Sequence, residues 1–482
     1  MSSSSPSLTE APTDGADFPA LRAGGLWDVL SERGRRAVLH EGIRTWVERA
    51  RAADVDATIG VLAGTAEELA DCQRAGTASS APPAGTGAAT SAGERAGIFY
   101  LSPVHEHFPE LAPPEIFPYT AVAGARPFRE GWRTWLLKKC AAVADPERVR
   151  ALTTLPIATP GVTGGLFAAG HLFLDPGEAL VAADKRWDGY DTVFETVLGA
   201  RLAAHRLFTP GGRLDLAGFA DRLREVAGRQ PKLTAILNFP NNPTGYMPSV
   251  AEAAELAERV RGVLEETGKP LVLLFDDAYE GYVYDDAHPV SLFYGFVGLH
   301  PLCWPVKCDG ITKELLLFGG RLGALTLGLP EAMAADRAAV EAEWENKVAA
   351  VLRAIISSAP TPVQGLVTHV LRDDMDVALA ERARMIEMLR RRRETLKTLL
   401  ETPEARAVFR VDPFNSGFFA FLNLRSGSAE EVAFRALREH RVGVVPMESA
   451  ELGINALRVT FGSVPEAQLE RLVRALVTSA GG

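Results

Sequence analysis

The chain has 482 residues, 47% of them hydrophobic and 23% charged, an ordinary globular balance with enough apolar content for a large core. A formal net charge of −10 excludes a nucleic-acid-binding surface over the whole molecule. The four cysteines, Cys72, Cys140, Cys303 and Cys308, make no CxxC pair, and no histidine lies at zinc-finger spacing, which argues against a disulfide framework or structural zinc and for reduced, buried thiols. Met1-Ser-Ser-Ser-Ser-Pro-Ser has no basic region followed by an apolar run, and no apolar stretch is long enough to span a bilayer, so a cytoplasmic location without membrane contact is expected.

Residues 1–25, rich in Ser, Pro, Ala and Gly, read as a flexible arm. From Leu26 to about Ala53, Trp27, Leu30, Val38, Ile43, Trp46 and Val47 fall roughly at helical spacing. Asp56 to Gly60 reads as a short extended run ending in a turn. Residues 74–97 are low in complexity and read as a surface insert within an N-terminal segment, 26–118. His105 and His107 stand two apart in a stretch rich in Pro and aromatic residues. No carboxylate or cysteine completes a convincing ligand set at short range, so a solvated or pocket-lining loop is expected there.

From about Ala151, short apolar runs alternate with helical ones. Leu152–Thr159, Ala179–Ala182, Leu233–Phe239, Pro270–Phe275 and Leu322–Leu329 read as buried strands, and Ser249–Thr267 as a helix with Ser249 as its cap. This alternation predicts an α/β fold around a mostly parallel sheet, with ligands at the carboxyl ends of its strands. Residues 119–335 read as that large domain and 336–482 as a smaller α+β unit, entered through a long helix, Met375–Leu400. Its further elements are strands at Val408–Asp412, Phe418–Leu424, Val442–Pro446 and Leu457–Phe461, and helices at Ala429–His440 and Glu466–Val477.

Several short patterns carry chemistry. Lys313 is followed eight residues later by Arg321, with Gly319 and Gly320 between them. A lysine kept partly neutral can condense with an aldehyde, and a glycine-framed arginine suits a phosphate. Gly161-Val-Thr-Gly-Gly follows a strand and opens a helix, where backbone N–H groups and the Thr163 hydroxyl favour phosphate, although glycine also punctuates ordinary turns. Trp187 offers an indole face to a flat ring, or a core side chain. In Asn238-Phe-Pro-Asn-Asn-Pro-Thr-Gly245 a turn displays Asn242 at a strand end. The strand Leu271–Phe275 runs into Asp276, which suits a pyridinium nitrogen or a helix cap, and Tyr279 follows as a phenol donor. Arg458 could grip a carboxylate, or stand on an edge strand. Lys307 is the nearest rival to Lys313 but has no arginine at the same distance.

In this order, Asn-Pro-Thr-Gly, Asp-x-Ala-Tyr and Lys-x7-Arg-x-Gly resemble the class I/II aminotransferases, the aspartate aminotransferase family of pyridoxal phosphate (PLP) fold type I, from about Asp56 to the C-terminus. The resemblance implies a large domain with a seven-stranded type of sheet, PLP as cofactor, amino acid and 2-oxo acid as substrates, and a homodimer with shared sites. By likeness, Lys313 carries the cofactor as a Schiff base and then shuttles the proton. Asp276 pairs with the ring nitrogen, Asn242 and Tyr279 hold the 3-oxygen, and Trp187 stacks on the ring. Val162, Thr163 and Arg321 bind the phosphate, and Tyr119 reaches the neighbouring subunit's phosphate. Arg458 holds the substrate carboxylate, and Gly60 lines its site. The chain departs from the family pattern at Gly310 and Gly161, where serines are often found, and no second arginine for a side-chain carboxylate is evident. Transamination is the expected reaction. Elimination, replacement or carbon–carbon bond formation on the same fold, including chemistry on S-adenosylmethionine, is the alternative, and a PLP-sensing regulator a further one.

Overall fold

The computed structural model describes residues 18–23, 26–31, 35, 42–73 and 97–481. Most of the expected N-terminal arm, Val38 of the helical run, and the low-complexity insert as far as residue 96 lie outside the described residues.

Seven strands form the main sheet: β1 (Ile157–Thr159), β2 (Ala179–Ala183), β3 (Arg201–His205), β4 (Leu233–Leu237), β5 (Leu271–Asp276), β6 (Cys303–Gly310) and β7 (Gly323–Leu327). Their order is β1-β7-β6-β5-β4-β2-β3. All neighbours are parallel except β7, which runs antiparallel to β1 and β6. Strands β4 and β5 are buried at every position, as apolar runs covered on both faces must be.

Two strands escape the apolar pattern. β3 has no fully buried residue, and β6 is broken in sequence by Pro305, Lys307 and Asp309. Proline in a central strand normally argues against one. Here the Pro305 carbonyl still accepts from Gly328 N at 2.8 Å, and Lys307 and Asp309 enter a buried ionic cluster.

Helices cover both faces. They are α1 (Arg126–Cys140), α2 (Gly161–Phe173), α3 (Leu216–Ala227), α4 (Val250–Thr267), the short α5 (Ile311–Glu314) and α6 (Arg337–Ile355). Alternate strand residues go to opposite sides. Leu180, Ile236 and Leu274 pack with Leu166 of α2 and Trp344 of α6, whereas Val181, Ala235 and Leu273 pack with Phe219 of α3 and Val260 of α4. Helix α4 starts as its sequence predicts: Ser249 Oγ accepts from Glu252 N, and Glu252 accepts in turn from Ser249 N.

Beyond α6 come α7 (Thr361–Asp373) and α8 (Met375–Leu400). An antiparallel sheet follows, of β8 (Phe409–Val411), β9 (Phe419–Leu424), β10 (Val445–Ser449) and β11 (Ile454–Thr460), in the order β8-β9-β11-β10. It is backed by α9 (Ala429–His440) and α10 (Leu469–Gly481).

Of the helical run expected from Leu26 to Ala53, the described residues form helices at Leu26–Val29 and Ile43–Arg49, a helical Arg35 and a 3₁₀ turn, Ala50–Ala52, with a break after Val29. The chain then pairs Val55–Asp56 in parallel with Val442–Gly443, and Thr460 N donates to Ala57 O at 2.9 Å. These bonds lay Thr58–Gly60 beside β11, which carries Arg458.

Candidate active site

The central strands end level. Leu237 of β4 lies opposite Phe275 of β5, and Asp276 opposite Cys308 of β6. Asn238 and Asp276 therefore emerge side by side. Asn238 Nδ2 donates to Asp276 O, and Asn238 Oδ1 accepts from Asn242 N, both at 2.8 Å. One buried amide thus ties the Asn-Pro-Thr-Gly turn to the end of β5. The Asp276 carboxylate is buried and accepts from the Tyr190 hydroxyl and from Ala278 N. Burial pushes its pKa up; the bond from Tyr190, the Ala278 N–H and the charge of Lys313 pull the other way.

Lys313 lies in α5, which β6 enters through Gly310. Its ammonium lies 4.6 Å from the centre of the Tyr279 ring. Burial lowers its pKa to about 8; Arg321 and Arg458 push the same way against Asp276. Asp276, Arg321 and Arg458 thus all lie close enough to Lys313 to act on its charge. The Tyr282 hydroxyl donates to Lys313 O at 2.7 Å and fixes the backbone there.

Lys307, the sequence rival, stands in different surroundings. It is fully buried, hydrogen-bonded to Asp277 and Glu280, and held as a cation well above the usual lysine range, because those carboxylates outweigh its burial.

Arg321 has a positive φ of 50° and reaches back over the start of α2. A Cβ added to Gly161, itself at φ 74°, would lie 2.9 Å from an Arg321 nitrogen. The open helix N-terminus at Val162 and Thr163 and this guanidinium together make an anion cradle. The departure at Gly310 has a steric cause here. A Cβ on Gly310 would meet Gly323 Cα and Leu322 O at 2.8 Å, and one on Gly323 would meet Gly161 C at 2.6 Å.

Arg458 is 2% exposed. One guanidinium nitrogen donates to Asn242 Oδ1 at 3.2 Å and another to Thr58 O at 2.5 Å, and the group lies 4.8 Å from the Phe419 ring centre. Its Nε is buried with no hydrogen-bond partner. The edge-strand alternative for this residue is overturned: β11 pairs on both sides, with β9 and β10. Gly60 faces the same space, since a Cβ there would meet the Tyr279 hydroxyl at 2.8 Å and Phe419 at 2.9 Å. Trp187 is half-buried and packs edge-on against Tyr190 at 5.7 Å, one residue removed from Asp276. Tyr119 is 93% exposed and does not join the other candidates within this chain.

Two features were missed from sequence. Tyr190, which the sequence places in a pocket-shaping stretch around Asp188–Tyr190 but not against Asp276, is a direct partner of that carboxylate. Behind the cleft, Lys139 and Lys307 bind Asp277, Glu280 and Glu314, with Lys139 Nζ 2.6 Å from Glu280 and 2.5 Å from Glu314. Trp135 Nε1 donates to Glu314 at 2.6 Å and Trp132 Nε1 to Asp309 at 3.1 Å. Three of these acids directly follow a cleft residue in sequence: Asp277 after Asp276, Glu280 after Tyr279 and Glu314 after Lys313.

The family model described as aminotransferase class I and II matches residues 108–476. An aspartate aminotransferase of Sulfurisphaera tokodaii is 24% identical over 319 residues, which cover 63% of this chain and 70% of that one. A probable N-succinyldiaminopimelate aminotransferase of Mycobacterium tuberculosis is 30% identical over 185 residues, 38% of this chain and 41% of that one. Among solved structures, an aminotransferase from Anaerococcus prevotii has a TM-score of 0.75 at 19% identity, covering 94% of this chain and 100% of that one, a likeness of fold. These names favour amino-group transfer over elimination, replacement or carbon–carbon bond formation, and over a regulator. The chain belongs to the class I and II aminotransferases, PLP-dependent transferases of fold type I.

Proposed function

We propose that this chain itself holds PLP in the cleft between Asp276 and Arg458 and moves the amino group of an amino acid to a 2-oxo acid there. The observation that carries the reading is the convergence on Lys313, an amine brought to about pKa 8, of one buried carboxylate and two arginines. The residues fit the cofactor. Asp276 is a buried acid with no cation in hydrogen-bond contact among the described residues, which suits a ring nitrogen that carries a proton. The Gly161 cradle under Arg321 suits a phosphate. The orphaned Arg458 Nε suits a carboxylate brought by the substrate.

When bound, the cofactor supplies an aldehyde that accepts the amino group and a ring that draws electron density from the substrate Cα. The chain does the rest. Lys313 Nζ, neutral in part at pH 8, would take the proton from Cα and deliver it to the former aldehyde carbon on the far side of the amino nitrogen. Asp276 keeps the ring nitrogen protonated, and Tyr190 keeps Asp276 aimed. Asn242 and Tyr279 hold the ring's 3-oxygen, and Trp187 covers its face. Val162, Thr163 and Arg321 bind the phosphate. Arg458 fixes the substrate carboxylate, which orients the Cα–H bond toward Lys313. Gly60 leaves room for the substrate beside Tyr279.

Tyr119, exposed in the single chain, is assigned to a second copy's phosphate site, which makes the working unit a homodimer with residues 119–335 as the cofactor domain and 336–482 as the smaller one. The four free, buried cysteines fit a cytoplasmic enzyme.

The test is to load the protein with PLP and follow its absorption while a panel of amino acids is added. Bleaching by one class of amino acid, with borohydride trapping the label on the peptide that contains Lys313, is the expected result. A label on another lysine, or no response to any amino acid, would overturn the assignment.

A further inference from the structure

His107 gains across the fold what it lacks along the chain. It ends the helix Ser102–His107, Glu110 closes the adjoining 3₁₀ turn Phe108–Glu110, and His369 comes from α7. Each offers one ligand atom, and these atoms lie within 4.8 Å of one another. His107 Nδ1 is 2.6 Å from Glu110 Oε2. The two imidazoles meet edge to face, with ring centres 5.6 Å apart.

The outer nitrogens are also placed. His107 Nε2 lies 2.8 Å from Asp374, and His369 Nε2 lies 2.7 Å from Glu115. Both imidazoles thus have Nε2 anchored on a carboxylate outside the trio, which turns Nδ1 of each inward, that of His107 already on Glu110, the third member of the trio. That is how proteins fix the tautomer and orientation of a metal-binding histidine. The His107 and His369 side chains are 11% and 14% exposed, while Glu110 is 57% exposed, so the site opens to solvent on one side.

We propose that His107, Glu110 and His369 form a binding site for a divalent transition cation of the zinc type, with Asp374 and Glu115 orienting the two histidines. Two imidazoles and one carboxylate, with water completing the set, suit that ion. The metal ties residues 102–116, which lead to Tyr119, to α7 and to its junction with α8.

A proton competes for the same place. Burial lowers the His107 pKa, but the bonds to Glu110 and Asp374 outweigh it and raise it above the usual imidazole value. Glu115 and His369 face it from the neighbouring elements, and Asp373, paired with Arg372, adds a further carboxylate. Histidines bind a metal in their neutral form, so affinity rises with pH.

The experiment uses the full chain without a polyhistidine tag, freed of metal by a chelator and titrated with Zn²⁺ against a chromophoric indicator, with Co²⁺ absorption as a second readout. One equivalent is expected to bind saturably and more tightly at pH 8 than at pH 6. His369→Ala and Glu110→Gln are each expected to weaken it about 100-fold, and Asp374→Asn about tenfold. His105→Ala is expected to leave affinity unchanged. Glu110 is largely exposed, so Glu110→Gln reports on the metal even if the histidine variant folds poorly. Absence of saturable binding, or affinity that survives Glu110→Gln but is lost in His105→Ala, would overturn the proposal.

Discussion

Charge is buried on both sides of the segment that carries Lys313, in opposite ways. Behind it, Lys139 and Lys307 are sealed against Asp277, Glu280 and Glu314. In front, Arg458 is as deeply buried as those lysines, yet among the described residues it has no carboxylate partner and one idle N–H. Burial is therefore not what separates a structural cation from a binding one. The partner is. A paired ion settles the fold, whereas an unpaired one carries a desolvation cost that only an incoming anion can offset.

The sharpest way to break this contrast is at its centre. Lys313→Ala is expected to lower kcat by about 10⁴-fold, measured in single turnovers with PLP added. Retention of more than a few per cent of activity would move the proton transfer to another group.

The two sides should then fail differently. Glu280→Ala leaves Lys139 and Lys307 short of a buried partner and is expected to cost about 3–5 kcal/mol of stability, read by urea unfolding. Arg458→Leu is expected to leave stability unchanged or improved while kcat/KM falls about 100-fold or more, chiefly through KM. A large stability loss in Arg458→Leu would erase the distinction.

Titration offers a finer test. The Lys313 pKa is lowered from 10.5 to about 8, first by burial, and only the neutral amine attacks an aldehyde. Capture of PLP by the cofactor-free chain is expected to quicken roughly tenfold per pH unit below that value and to level off above it. A continued rise toward pH 10 would mean an unperturbed lysine.

The smallest effect concerns the glycine contact under the cradle. Gly310→Ser forces a side chain against Gly323 and Leu322 and is expected to cost about 1–3 kcal/mol, seen as a lower melting temperature and weaker PLP retention. A neutral result would show that β6 and β7 have slack there.

The sequence was most legible where local chemistry is self-contained. The turn at Asn242, the acidic end of β5, the capping box at Ser249 and the long helix α8 depend on neighbours a few residues away. Spacing to Arg321 singles out Lys313 over Lys307, whereas the ion pairs of Lys307 are invisible in the sequence. What stayed hidden is long-range. β6 was illegible because Pro305, Lys307 and Asp309 look like a loop until their partners arrive from α1, the turn after β5 and the end of β7. His107 looked isolated because His369 lies more than half the chain away. Tyr190 was not set against Asp276 because nothing near it in sequence shows that its hydroxyl meets that carboxylate.

The alternation of cleft residue and anchor along the chain has a genetic consequence. Asp276 and Asp277, Tyr279 and Glu280, and Lys313 and Glu314 are adjacent codons serving opposite faces. Losing or gaining one codon at any of these three places would exchange a reactive group for a fastener, so a frame-preserving insertion or deletion there should damage both faces at once, where a substitution damages one.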